Sequence, residues 1–89
     1  MAKEYFGIVQ NIVREGRHGP YFVVSCSELS GELATCALTP PIWQETDWPE
    51  EGMYVVLSEP RKKRGGWRFQ HGRHVTPSDE QNLARRNEQ

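Results

Sequence analysis

The sequence predicts an all-β fold, a small five-stranded Greek-key barrel, and three observations lead there. Five runs rich in β-branched and aromatic residues are separated by Gly, Pro and polar turn residues, and none of them carries the apolar stripe of a helix. With 89 residues and a hydrophobic fraction of 36%, the chain is near the lower size limit for burying an independent core. Closure suits such a chain, because a closed sheet leaves no edge to be covered by helices that the sequence does not supply.

The first run, Tyr5 to Val13, is β-branched and aromatic, and Gly7 inside it marks a bulge or sharp bend of the kind a first strand needs to serve both sheets of a barrel. Arg14 to Pro20 follows as a turn, broken by two glycines and a proline. Tyr21 to Cys26 is a second strand, Ser27 to Gly31 a turn, and Glu32 to Thr39 a third strand that Pro40-Pro41 stops. The connection from Pro40 to Gly52 is long and carries Ile42, Trp43 and Trp48, which are costly to leave bare, so it is expected to fold over one end of the barrel. Pro41 can open a single helical turn, Ile42-Trp43-Gln44. Met53 to Ser58 is the fourth strand, ending at Glu59-Pro60. Gly65-Gly66 then reverses the chain into a fifth that reaches Val75. Thr76-Pro77-Ser78-Asp79 has a capping hydroxyl, a proline in the first turn and an acid three residues on, a helix start. Only Leu83 and Ala84 are apolar after it. Residues 1–77 are therefore read as the barrel and 78–89 as a polar tail, flexible or briefly helical.

Charge is distributed unevenly over these elements. The stretch Arg61 to Val75 holds six of the eleven Lys and Arg residues and no carboxylate, so a net charge of −1 conceals about −7 in the rest of the chain. Such asymmetry points to a negatively charged partner. Within the stretch, Trp67-Arg68-Phe69-Gln70-His71 alternates ring and polar group. Period two puts Trp67, Phe69 and His71 on one side and Arg68 and Gln70 on the other, which leaves open whether Trp67 packs in the core or stacks on a ligand.

Other chemistries find little support. Nucleophilic or paired-carboxylate catalysis needs groups gathered in one pocket, whereas the acids here fall mostly in turns and tail, and Gly65-Gly66 joins strands instead of opening a phosphate-binding helix. The chain is thus expected not to be an enzyme and to need no cofactor. His18, His71 and His74 show no metal-ligand spacing, and Cys26 and Cys36, each inside a strand-like run, read as half-buried reduced thiols. No apolar run approaches a membrane span and the opening residues lack the apolar core of a signal peptide, so no membrane association is expected and a cytoplasmic setting is.

Short turns between the first three strands, a long connection, and a final hairpin make the layout of an OB-type barrel, with an SH3-like barrel as the rival. Four landmarks resemble the bacterial cold-shock domains and the related S1 domains, over most of Phe6 to Val75. Gly7-Ile8-Val9-Gln10 is similar to the opening Gly-x-Val-Lys, and Gly19-Pro20-Tyr21-Phe22-Val23 to the Gly-aromatic-Gly-Phe-Ile strand. Glu50-Glu51-Gly52-Met53-Tyr54-Val55 is similar to the Glu-Gly-x-x-Val strand start, and Gly66-Trp67-Arg68-Phe69 with Val75 to the closing Gly-x-x-Ala-x-x-Val. The resemblance implies single-strand binding by bases stacked on aromatics. The sequence departs from the family there, since Gln10-Asn11-Ile12 replaces Lys-Trp-Phe and Leu33 to Ala37 carries no ring.

Two functions follow from this reading. In the first, the chain binds single-stranded DNA or RNA, with Arg61, Lys62, Lys63, Arg64, Arg68 and Arg73 neutralising phosphates and Tyr21, Phe22 and Trp67 stacking on bases. In the second, the barrel docks an acidic protein partner through the basic hairpin, with Trp43 and Trp48 of the long connection as interface anchors.

Overall fold

The alternation in the five runs closes into a five-stranded barrel in a computed structural model that describes residues 3–29 and 33–81. The strands are β1 (Glu4–Val13), β2 (Tyr21–Ser25), β3 (Leu33–Ala37), β4 (Tyr54–Lys63) and β5 (Gly66–His74). Their order around the barrel is β1-β2-β3-β5-β4, with β4 returning to β1. All pairings are antiparallel except β3 with β5, which run parallel because the long connection and β4 carry the chain across before β5 comes back. This is the Greek-key, OB-like arrangement of the predicted barrel. No helix among the described residues is long and apolar enough to cross a membrane.

β1 serves both sheets, pairing Glu4–Ile8 with β4 and Ile8–Val13 with β2. Its register shift lies between Val9 and Asn11, not at Gly7. Gly7 instead allows close approach, since a Cβ there would meet Val24 Cγ2 at 2.3 Å. Inward residues of every strand, among them Val9, Phe22, Val24, Ala34, Cys36, Leu57 and Phe69, form one core. Trp43 plugs one end of it, 2% exposed, with its ring edge-on to Phe22 at 5.6 Å between centroids. The plug is held by backbone bonds in which Gln44 N donates to Gly72 O and Gly72 N donates to Ile42 O, while Trp43 Nε1 donates to Asp47 O at 2.9 Å.

Three boundaries differ from expectation. The expected helical turn at Ile42 to Gln44 is a hydrogen-bonded turn in which Ile42 N and Trp43 N both donate to Thr39 O. β4 runs through Glu59-Pro60 to Lys63. β1 pairs with it only as far as Ser58, so beyond that point β4 is bonded to β5 alone and proline falls in a one-sided stretch that tolerates it. The hairpin therefore turns at Arg64-Gly65, with Gly65 at φ 82°, and Gly66 already belongs to β5, where any Cβ would strike Leu33 O.

The start of the tail takes the brief helical form, with Asp79 buried and the residues beside it exposed. Residues 77–81 are helical, and Asp79 accepts from both the backbone N and the Oγ1 of Thr76 while its own N donates back to Thr76 Oγ1, the expected capping arrangement. Residues 82–89, the remainder of the expected tail, lie outside the described residues.

Candidate nucleic-acid interface

In a strand only one of two neighbouring side chains can face out, and on the β2-β3-β5 face those are Tyr21, Val23, Thr35 and Arg68. The register sets Val23 beside Thr35 and Thr35 beside Arg68, with Tyr21 beside Ala37. The β1–β2 turn rises next to this face because Gly19 takes φ 103° and its N donates to Gly16 O. Lys63 comes from the end of β4. Together these segments bound a cleft of about 330 Å³ lined by Arg17, His18, Tyr21, Thr35, Lys63 and Arg68, with Pro20 and Ala37 also in the lining. Three cations, an imidazole and a phenol ring share the lining, and no carboxylate is among the lining residues.

Beside the cleft, Arg61, Lys62, Lys63 and Arg64 are all exposed on the part of the hairpin that extends past β1. Lys62 pairs across the ladder with Trp67 and holds its ammonium 5.0 Å from the centre of that ring. Trp67 is half-buried and packs against the core, with its Nε1 buried and without an acceptor among the described residues, so packing and Lys62 place the ring. Phe69 is in the core, 5.6 Å from Tyr5. His71 does not continue their side. Gly72 turns inward instead, where a Cβ would meet Cys36 Sγ at 3.0 Å and Leu57 Cδ2 at 3.2 Å.

Three expected contact residues are placed elsewhere. Phe22 is 0% exposed and cannot stack on a ligand, since it is the inward neighbour of Tyr21. Arg73 is engaged by the tail, its Nη1 donating to Asp79 Oδ2 at 2.7 Å and its Nη2 to Glu4 Oε2 at 2.9 Å. The Arg73 hydrogen bond holds the Asp79 carboxyl below the usual carboxylate range against the opposing effect of burial, and Asp79 in turn raises the Arg73 guanidinium. Trp43, expected as an interface anchor, is the barrel plug. Trp48 does reach the surface, with the Arg14 guanidinium 5.7 Å from its ring.

Sequence reasoning missed Arg17 and His18. The available signal was their position in the turn directly before Tyr21, but nothing in a linear charge count connects that turn to Lys63. Spacing likewise gave no hint that Glu45, Asp47 and His74 each bring one donor atom within 4.8 Å of the others. His74 Nε2 lies 3.2 Å from Asp47 Oδ2 and both carboxylates are exposed, an arrangement that does not by itself define a metal centre. The two cysteines are free and buried, and burial pushes the Cys36 thiol up to about 12, so it stays protonated at neutral pH.

Comparison with known proteins brings no relative: no family model matches the chain, and neither does any curated protein or solved structure.

Proposed function

We propose that this barrel binds single-stranded nucleic acid on its β2-β3-β5 face, as a binding module of the kind its resemblance to cold-shock and S1 domains implies. The observation that carries the reading is the cleft that Arg17, Lys63 and Arg68, from three separate segments, line together with Tyr21, with no carboxylate among the lining residues. Phosphates are attracted by such a cationic rim, and an unpaired base has a π face to lay on the phenol. Arg61, Lys62 and Arg64 extend the positive surface along the hairpin, so a strand leaving the cleft continues over it. Tyr21 takes over the stacking role that the family gives to several rings, while Trp67 supports the rim from beneath and contributes mainly to packing.

The test is a fluorescence anisotropy titration with labelled single strands, DNA and RNA, at two salt concentrations. Binding that weakens with salt, and that Lys63→Glu with Arg68→Glu reduces across all sequences, is the expected result. Unchanged affinity in that variant moves the ligand off this face, and no binding by either nucleic acid ends the reading.

A further inference from the structure

At the other end of the barrel the surface has the opposite character. The sequence contains no Lys or Arg between Arg17 and Arg61, and Glu45, Asp47, Glu50 and Glu51 in that interval are exposed. Four large apolar side chains are exposed among the described residues, and three of them, Trp48 at 38%, Met53 at 39% and Tyr54 at 43%, are interleaved with these acids. A cleft of about 430 Å³ opens here, lined by Asp47, Met53, Tyr54, His74 and Glu80, with no Lys or Arg among its lining residues. A phenol ring, Tyr54, with the carboxylates Asp47 and Glu80 in the same lining suits a lysine or arginine side chain, which gains an ion pair and a ring contact at once. The surface already displays that chemistry next door, where Arg14 lies against Trp48.

The complementary segment is present in the same chain. Arg61, Lys62, Lys63 and Arg64 form its densest run of positive charge, on the exposed hairpin end. It cannot reach the acidic cleft of its own barrel. Gly66 marks the hairpin end of β5 and His74, which lines the cleft, marks the other, and a strand of this length separates them by about 25 Å at roughly 3.3 Å per residue. We infer that the acidic, aromatic end of one barrel docks the basic hairpin of a second copy, so that chains associate head to tail through charge complementarity. Such a contact joins two different patches, so it leaves one hairpin and one acidic end unfilled in every pair and adds copies in line. It is electrostatic at its rim and sensitive to salt.

Sedimentation velocity on the full chain without nucleic acid tests this independently of what the cationic cleft binds. Association that grows with protein concentration and falls severalfold at high salt is expected. Two charge-reversed variants, Lys63→Glu with Arg64→Glu and Asp47→Lys with Glu80→Lys, should each sediment as monomers. All four positions are exposed, so circular dichroism should show both variants folded. An equimolar mixture of the two should form pairs again, because the basic hairpin of the second variant and the acidic end of the first are both unaltered. A wild-type chain that stays monomeric at every concentration overturns the inference. So does association that either variant retains alone, or a mixture that stays monomeric while the wild type associates.

Discussion

Arg68 and Arg73 belong to the same strand, carry the same charge and were equally eligible as ligand contacts, yet their surroundings give them different work. Arg68 stands in a row with Thr35 and Val23 on the open face and lines a cleft whose other charged members are also cations. Arg73 is gripped by Asp79 and Glu4 and donates further to the His74 carbonyl, so both of its Nη groups are engaged inside the protein. The neighbouring residues Tyr21 and Phe22 divide in the same way, one lining the cleft and the other wholly inside. A charge or a ring in a sequence is a capacity. Whether it is available depends on what the fold brings beside it.

The largest effect that would break this comparison is at Phe22. Truncation to Ala removes a core ring and is expected to cost about 3 to 5 kcal/mol in urea denaturation, enough to unfold much of a small domain. Tyr21→Ala should leave the urea midpoint nearly unchanged and lower single-strand affinity by about 1 to 3 kcal/mol. The reverse pattern would exchange their roles.

Arg73→Ala should cost about 3 kcal/mol, because it leaves the Asp79 carboxylate buried without its cation. The contact to the exposed Glu4 adds little. Affinity for a single strand, measured where the variant is folded, should not change. For Arg68→Ala the expectation is a small change in stability and a clear loss of affinity.

The clasp also sets an acid limit. Because the folded Asp79 carboxyl is held below its ordinary value, its stabilisation is fully present above the unfolded pKa, about 4, and is lost as pH falls towards the folded value. Thermal melts of the wild type should therefore lose stability below about pH 4, and Asp79→Asn should be less stable at neutral pH with a flatter acid limb. Equal slopes would remove Asp79 from the account.

The smallest effect is the most diagnostic for the cleft. Lys63→Ala should reduce the slope of log affinity against log salt by about one, the signature of one lost phosphate contact, with the melting temperature unchanged. Arg73, paired internally, should give no such change in a folded conservative variant such as Arg73→Lys.

Much of the architecture was legible because it rests on local signals. Alternation specified five strands, and Gly, Pro and polar residues specified where the chain turns. Thr76 and Asp79 declared the helix start through a spacing that works within one turn. The errors fall where local signals conflict with distant neighbours. Pro60 reads as a strand end, yet it is tolerated because β1 stops short of it, a fact about a strand far away in sequence. Trp67 was undecided between core and ligand, and the structure gives it an intermediate place, packed on the core below Lys62.

By itself, the sequence determined the barrel, the concentration of positive charge after Pro60 and the acidity of the remainder, because strand periodicity and charge are properties of neighbouring residues. Only the tertiary structure decided which of those residues meet. It brought Arg17 and His18 to Lys63 and Arg68, spent Arg73 on Asp79, and turned Trp43 into a plug while leaving Trp48 exposed. Closing a barrel sets residues side by side according to strand order and register, and neither can be read from the spacing between two charges along the chain.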